Sequence, residues 1–419
     1  MIIDIRALAR KLIIIALILT PLVSMGDVLA LFGGSLHSQV IASTPVYLKL
    51  VKDVLVVALA ALGVVRLARS GRTNSLAIPF LILLLYTVIA ATLAADSPTL
   101  ALAGLRWILP VFVAFLIYEF VDDLLMERIA RVLAVLVCVQ LGLQIVELFL
   151  MSHWYGTNAF GLAARVPGFF FIPSTAGFFS VAALYFVHFY DPSRARRFIT
   201  YLVVPVSVFF TQSGTGLIAT AVVATLILLG IRRVWLIIPL GGAAAGLVFP
   251  LLPVITGRQA DYVAVSGGTR LQIFTEIFRH IELIPTAFGY VTNTAVSLIA
   301  NGGAGLRTDA IPTIVDSTYA SIIGNLGIGG VVFFAIFCVT WAVVVVCARR
   351  LDLYVATAIF SLYGFTAIIF EAYPMNVLLS VCAAYFLKQA YVPFWSGTQR
   401  ALVSRPPSLA LAYSSDESR

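Results

Sequence analysis

The residues best suited to chemistry lie between Thr256 and Gly330, where charged and turn residues interrupt an otherwise apolar chain. This segment holds four arginines and five carboxylates. Arginine binds phosphate through two parallel N–H donors and stays charged when it is partly buried. A carboxylate beside it can accept a proton from an attacking hydroxyl. The combination predicts a site for a phosphate-bearing substrate at one rim of a membrane.

Arg270 is the first candidate for phosphate binding. It follows Gly267–Gly268, and the spacing of Thr269 and Gln272 is a capping box that starts a helix. On that helix Arg270 lies in the apolar face, beside the free N–H groups of the first turn, which favour anions. The alternative is that its side chain reaches the lipid headgroups or pairs with a structural carboxylate. Arg279 falls on the polar face of the same helix, where we expect a solvated charge.

Three more arginines are predicted to contact phosphate. Arg165 precedes Pro167 and Gly168, which stiffen and bend the start of an apolar run and hold the arginine at the rim. It is either a functional residue at the rim or an interfacial anchor. Arg258 and Arg307 lie in the long charged segment without a helical frame, as further phosphate contacts.

Asp316 opens the next apolar run and has two interpretations. It is an N-cap, or a carboxylate that accepts a proton from an attacking hydroxyl or orients it. Tyr319, one turn later, is expected to stack on a sugar or to lie at the membrane interface. Gln140, Gln144 and Glu147 recur at i, i+4 and i+7, and polar groups within a span face the bundle interior. They either line a cavity, with Glu147 as a substrate contact, or tie helices together.

These candidates must be positioned by membrane-spanning helices. Only 11% of the 419 residues are charged, against about 25% in soluble domains, and the mean hydropathy is +1.04. A span needs roughly 20 apolar residues. The pattern predicts an all-α polytopic membrane protein of about twelve transmembrane helices, with a large helical periplasmic loop between spans nine and ten. The spans are predicted at 12–32, 50–68, 76–95, 98–120, 129–151, 167–190, 198–213, 215–231, 234–253, 318–347, 354–371 and 377–395.

Basic clusters recur in every second connection, which predicts that both termini are cytoplasmic and that the 254–317 loop is external. We expect one membrane domain over 1–395 and a polar, disordered cytoplasmic tail over 396–419. The net charge of +8 is interpreted as a topology signal, not as nucleic-acid binding. Because no cysteine or histidine spacing fits a metal, we expect neither metal nor cofactor.

The order of several short motifs resembles the O-antigen ligase and Wzy-type polysaccharide polymerase superfamily of bacterial inner-membrane proteins. The resemblance covers roughly residues 95–390. Its stretches in this chain are Arg165-Val-Pro-Gly-Phe-Phe-Phe-Ile-Pro-Ser-Thr-Ala-Gly, the hairpin Thr211-Gln-Ser-Gly-Thr-Gly, Gly268-Thr-Arg-Leu-Gln-Ile-Phe with Pro285 and Gly289, and Asp316-Ser-Thr-Tyr followed by Gly324-Asn-Leu-Gly-Ile-Gly-Gly.

The resemblance implies an inverting, metal-independent glycosyl transfer on the periplasmic face of the inner membrane. A polyprenyl-diphosphate-linked oligosaccharide is the donor, and a sugar hydroxyl attacks while the diphosphate leaves. Arg165 and Arg270 become the diphosphate ligands, with Arg270 and Asp316 as catalytic residues. The expected partners are this lipid-linked substrate, the bilayer and other polysaccharide assembly proteins, with no nucleic acid.

Two departures from the family pattern affect the assignment. Gly214 stands where many relatives have arginine, and Asp316 stands where ligases typically have histidine. They favour a polymerase of an exopolysaccharide, capsule or O-antigen over a ligase that moves finished glycan to a lipid or protein. A secondary transporter or flippase is the alternative from another class, although such proteins commonly have repeated halves and no internal repeat is evident in this chain.

Overall fold

A computed structural model describes residues 4–32, 46–70, 77–95, 97–155, 166, 168–170, 172–230, 275, 277, 288–292 and 317–395. These residues form eleven α-helices and no β-strand. In chain order they are α1 (Ile5–Phe32), α2 (Val46–Ser70), α3 (Ala77–Ala94), α4 (Pro98–Ile117), α5 (Asp123–Tyr155), α6 (Pro173–Tyr190), α7 (Arg194–Thr211), α8 (Gly214–Leu229), α9 (Thr318–Ala348), α10 (Leu351–Thr366) and α11 (Met375–Trp395).

The helices are apolar on most of their surface. Three stretches within them are long and apolar enough to cross a bilayer, namely Pro98–Ile117, Asp123–Leu148 and Thr318–Val346. The all-helical prediction holds for the described residues, which are consistent with a helical membrane protein. The predicted ninth span, 234–253, lies outside them, and the count of twelve spans and their orientation stay predictions.

Side-chain contacts distinguish the two ends of the helix bundle. One end, called the basic end here, holds arginine–carboxylate pairs that include Arg10–Asp122 and Arg350–Asp352. The opposite end, called the amide end, holds the first turns of α8 and α9 and the segments 166–170 and 288–292. There, buried side chains of Gln144 and Asn325 bind backbone groups.

Several predicted spans differ from the helices observed, and at three of them the backbone shows the reason. The sixth begins at Pro173 instead of 167, because Gly168 has a φ of +67° that a helix does not permit. The eleventh ends at Thr366 instead of 371, where Ala367 turns to extended backbone. The tenth is interrupted at Gly327, whose φ of 59° and ψ of −155° divide α9 into two parts.

Candidate functional site

The polar stripe of α5 binds the segment that follows Arg165. The Gln144 Nε2 group donates to the carbonyl of Val166 at 2.9 Å. The Gly168 N–H donates to Glu147 Oε2 at 2.8 Å, and the Phe169 N–H donates to Gln140 Oε1 at 2.9 Å. All three stripe side chains are buried, as their helical spacing predicted. These three hydrogen bonds thus hold residues that belong to neither a helix nor a strand.

The same segment is held from a second side by α7. The Val166 N–H donates to the Phe210 carbonyl at 3.0 Å, and Gln144 Nε2 also donates to the Ser207 carbonyl at 3.1 Å. At Gly168 the positive φ already favours glycine, and an added Cβ would come within 2.8 Å of the Gln140 amide. The segment therefore has one tightly defined path between α5 and α7.

The predicted hairpin at Thr211–Gly216 is confirmed. Gln212 ends α7 in the left-handed conformation, and Ser213 caps α8 by accepting a hydrogen bond from the Gly216 N–H at 3.2 Å. Thr215, in the first turn of α8, donates to Thr366 Oγ1 at the end of α10 at 3.0 Å. Through this hydrogen bond, the hairpin that follows α7 is linked to the end of α10.

The end of α10 also receives the start of α9. Ser317 Oγ donates to the Gly364 carbonyl at 3.1 Å. The Thr318 N–H and Oγ1 both donate to the Ala367 carbonyl, at 3.1 and 2.7 Å. Ser317 occupies the N-cap position of α9 but makes no side-chain cap hydrogen bond. The N-cap interpretation of Asp316 is therefore wrong in position by one residue.

A second buried amide holds the turn at 288–292. Asn325 Oδ1 accepts from the N–H groups of Gly289 at 3.0 Å and Val291 at 3.3 Å, and its Nδ2 donates to the Val291 carbonyl at 2.9 Å. Ser321 Oγ donates to the same carbonyl. Gly289 has a φ of +89°, and a Cβ there would overlap the Leu100 carbonyl. The turn is thus hydrogen-bonded to α9 and closely packed against α4.

The break in α9 is completed by a tyrosine of α3. Tyr86 donates its hydroxyl hydrogen to the Leu326 carbonyl at 2.5 Å, and its oxygen is hydrogen-bonded by the N–H groups of Gly329 and Gly330. A Cβ at Gly329 would lie 2.5 Å from the Tyr86 ring. One phenol thus satisfies groups on both sides of the break, and the glycines make room for it.

Five of the predicted site residues lie outside the described residues, namely Arg165, Arg258, Arg270, Arg307 and Asp316. Their roles stay predictions. Two of them are adjacent in sequence to anchored residues, because Val166 follows Arg165 and Ser317 follows Asp316.

The other two predicted site residues are described. Tyr319 belongs to the first turn of α9, and its side chain packs against α10. Its hydroxyl donates to the Ser361 carbonyl at 3.3 Å, and its ring contacts Phe334 and Phe365. Glu147 is buried and binds the Gly168 N–H. A glycan contact by either residue stays a prediction, and both side chains have structural contacts in this conformation.

Sequence reasoning missed Ser321, Asn325 and Tyr86. Ser321 and Asn325 are spaced i and i+4 within the apolar run of α9, which is the same signal that identified the stripe of α5. The run from Gly324 to Gly330 holds four glycines in seven residues, and that density indicates a helix break. No local signal pairs Tyr86 with Leu326, because they are 240 residues apart.

The basic end has a different electrostatic character. Arg196 binds Asp191 through two hydrogen bonds, at 2.6 and 2.8 Å. Burial alone would raise the pKa of Asp191. The Arg196 guanidinium and the Ser193 N–H together lower this pKa by more than burial raises it, so the net shift is downward. Arg350 pairs with Asp352 within 3.0 Å and lies over the rings of Tyr385 and Phe386. These charges neutralise one another and bind helices together.

The amide end combines anchored irregular segments with the first turns of α8 and α9, an arrangement that can bring residues from distant parts of the chain to one rim. The described groups that hold these segments are hydroxyls, side-chain amides, the buried Glu147 carboxylate, and backbone N–H and carbonyl groups. The chain was also compared with protein-family models and with curated proteins. Neither comparison gave a match.

Proposed function

We propose that this chain is a membrane glycosyltransferase that polymerises polyprenyl-diphosphate-linked oligosaccharide units, in the manner of a Wzy-type polymerase. The observation that carries the proposal is a connected set of contacts at the amide end. Val166 binds α7, the hairpin after α7 binds α10 through Thr215 and Thr366, and α10 binds Ser317. The peptide neighbours of Val166 and Ser317 are Arg165 and Asp316.

This arrangement supports a division of roles between the two ends of one reaction. Arginine at 165, with Arg270, stabilises the charge that develops on the diphosphate as its bond to the sugar C1 breaks. The acceptor hydroxyl forms the new C1–O bond from the opposite face, and its proton passes to the Asp316 carboxylate. Anchored flanking residues suit this chemistry, because small displacements of catalytic groups are costly.

The experiment is the size profile of lipid-linked glycan in cells that lack this protein and are complemented with variants. Accumulated single repeat units, converted to a ladder by wild type, identify a polymerase. Arg270→Ala and Asp316→Asn should lower ladder formation by about 10²-fold or more. Arg279→Ala is the matched control from the same segment and should behave as wild type. A normal ladder with Arg270→Ala and Asp316→Asn would contradict the assigned roles.

The same profile separates the neighbouring activity. If full-length chains remain on the polyprenyl carrier and never reach their acceptor, the protein is a ligase. This outcome would keep the diphosphate chemistry but replace the acceptor, which is then a lipid or protein that receives the finished glycan.

A secondary transporter or flippase is the second candidate, and the break in α9 favours it. Discontinuous transmembrane helices commonly form the substrate sites of transporters near the bilayer midplane, and Gly327 lies within the apolar stretch Thr318–Val346. The test is the side on which substrate accumulates. Repeat units that stay protected from a periplasmic glycosidase in cells without the protein would establish transport and overturn the transferase.

A further inference from the structure

An ion pair within the membrane-spanning part of the bundle joins α2 to α4. The Arg106 Nε group donates to Asp53 Oδ2 at 3.0 Å, and the two side chains are 33% and 30% exposed. Arg106 belongs to the apolar stretch Pro98–Ile117, whereas the other arginine–carboxylate pairs found among the described residues lie at the basic end. Charged side chains within hydrocarbon are costly unless polar groups reach them. Joining two helices therefore does not by itself explain the pair.

The exposed side of the pair faces the periphery of the bundle. Leu102 lies one turn before Arg106 on the same face of α4 and is 66% exposed. Val57 lies one turn after Asp53 on the same face of α2 and is 54% exposed. Apolar side chains that are exposed on a membrane-spanning helix contact lipid. The charged groups are consequently open to lipid from the same side.

A mainly aliphatic pocket begins one turn from the pair, toward the basic end. Pro110 and Val113 follow Arg106 at i+4 and i+7 on one face of α4, and both line the pocket. On α2, Val56 lines it one turn from Asp53. Proline cannot donate the helical hydrogen bond to the Arg106 carbonyl, and its ring kinks the helix at this position. The other walls belong to α1 and α11, and further lining residues include Ile13, Leu59 and Val381.

Two contacts between α2 and α4 define the length of the pocket region. The ion pair is one of them. At the other, Gly63 packs so closely on α4 that an added Cβ would lie 2.5 Å from the Leu116 Cβ. The two contacts are separated by the same stretch on each helix, from 53 to 63 and from 106 to 116, which is about 15 Å at the rise of an α-helix. This is half of the roughly 30 Å of hydrocarbon in a bilayer, so the length matches a lipid chain of one leaflet.

We propose that this surface binds one phospholipid whose headgroup carries a single negative charge, with the phosphate on Arg106 and one acyl chain in the pocket. The planar guanidinium suits phosphate oxygens, and its aliphatic stem lets it extend toward the headgroups. Lys52 precedes Asp53 in the chain, so the three side chains carry a formal charge of +1 together, which complements one phosphodiester.

The direction of the bound lipid follows from the direction of α4. This helix begins at the amide end, where the Leu100 carbonyl contacts Gly289. Because Arg106 lies nearer to that end than the pocket does, the headgroup belongs to the leaflet at the amide end and the chain extends toward the bilayer centre. The inference does not depend on the proposed glycosyl transfer.

The first test is photo-crosslinking of the full-length protein in phosphatidylethanolamine nanodiscs. The probe is phosphatidylglycerol with a diazirine near the middle of one acyl chain, at a fixed low mole fraction, and labelled residues are identified by peptide mass spectrometry. When unlabelled phosphatidylglycerol replaces part of the phosphatidylethanolamine, labelling of Val56 and Val113 should fall at least about fivefold, because one charge pair selects this headgroup. Labelling of Val339, which is exposed on α9, reports bulk lipid and should stay constant. Parallel behaviour of the pocket residues and Val339 would overturn the proposal.

Charge variants separate a lipid site from a structural link between two helices. Asp53→Asn removes a carboxylate that repels the phosphate and should raise the apparent affinity for the probe about fivefold. Asp53→Asn combined with Arg106→Gln removes the guanidinium as well and should lower this affinity at least about fivefold below wild type. A purely structural link would be weakened by both variants. Equal loss of pocket labelling in the two variants would therefore overturn the proposal.

A second ion pair provides the matched control. Arg66 of α2 binds Glu119, just after α4, at 2.8 Å with similar exposure of the two side chains. Arg66→Gln combined with Glu119→Gln should leave pocket labelling within about twofold of wild type. Melting temperatures in the nanodiscs establish that each variant is folded. If the double variant at 53 and 106 does not fold, Arg106→Lys takes its place, and it should lower the affinity about threefold because an ammonium lacks the two-pronged geometry. Wild-type affinity in that variant would overturn the role of Arg106.

Discussion

The two ends of the bundle are held together by different kinds of side chain. At the basic end, arginines and carboxylates join one helix to another, as Arg66 does with Glu119 at 2.8 Å. At the amide end, Gln144 and Asn325 join a helix to backbone that is not helical. A side-chain amide suits the second task because it both donates and accepts. Charge here fastens helices, and neutral groups shape the rim proposed to bind substrate.

Neutral side chains are well suited to hold backbone segments at a rim where several arginines are predicted to bind a diphosphate. A carboxylate that fastened the 166–170 or 288–292 segment from the surface would compete with a diphosphate for nearby arginines. The one charged anchor, Glu147, is buried and binds a backbone N–H. The pair Arg106–Asp53, at 3.0 Å, joins α2 to α4 within the spans, about 12 Å from the start of α4.

The largest expected effect comes from removing an amide anchor. Asn325→Leu leaves the Gly289 and Val291 N–H groups without their acceptor, so the free energy of unfolding should fall by about 2–3 kcal/mol. Asn325→Asp in its protonated form keeps an acceptor and an O–H donor for the Val291 carbonyl, so at acidic pH it should cost about half as much. Unfolding in mixed detergent micelles measures both. Equal losses for the two variants would show that the acceptor is not what matters.

An intermediate effect is expected at the basic end. Arg350→Ala leaves the buried carboxylate of Asp352 without its guanidinium, and the free energy of unfolding should fall by about 2 kcal/mol. This is below the usual cost of breaking a buried pair, because the Arg350 side chain is 36% exposed. The neighbouring Arg349 is exposed, and Arg349→Ala should change stability by less than about 0.5 kcal/mol. Similar melting temperatures for the two variants would contradict the importance of the pair.

The smallest effect should be a response to acid confined to the basic end. Because the folded-state pKa of Asp191 is lowered, its stabilisation is present above the unfolded pKa of about 3.9 and is lost as the pH falls through the folded value. The effect should stay below about 1 kcal/mol, since Arg196 is partly exposed. Hydrogen exchange at Ser193 should accelerate in acid relative to Val291, whose partner Asn325 does not titrate. Asp191→Asn should remove the difference.

Local sequence patterns predicted helices and turns better than they predicted which residues those helices and turns contact. Ser, Thr and Gly residues were sufficient to place the hairpin between α7 and α8, because turn chemistry is local. The helical spacing of Gln140, Gln144 and Glu147 predicted a buried face. What that face binds depends on residues 21 to 63 positions later, and no period in the sequence specifies such a contact.

The candidate site could be predicted only in its chemistry. Arginines and Asp316 were chosen for what a diphosphate and a hydroxyl require, and their positions lie outside the described residues. The structure instead identified the anchors beside them. Asn325 was not predicted, although Ser321 and Asn325 form a polar pair spaced four residues apart in an apolar run, the same signal as the α5 stripe.

The phenol of Tyr86 has a consequence for how the chain is assembled in the membrane. It completes a helix that begins more than 230 residues later, since its partner Leu326 is 240 positions away. During synthesis, α3 is complete long before α9 exists, and transmembrane helices insert before they associate. The glycines of α9 weaken the helix locally, but the contact that Tyr86 makes at the break forms only when α3 and α9 are packed together. Tyr86 can bind Leu326 only once the last quarter of the chain has been made.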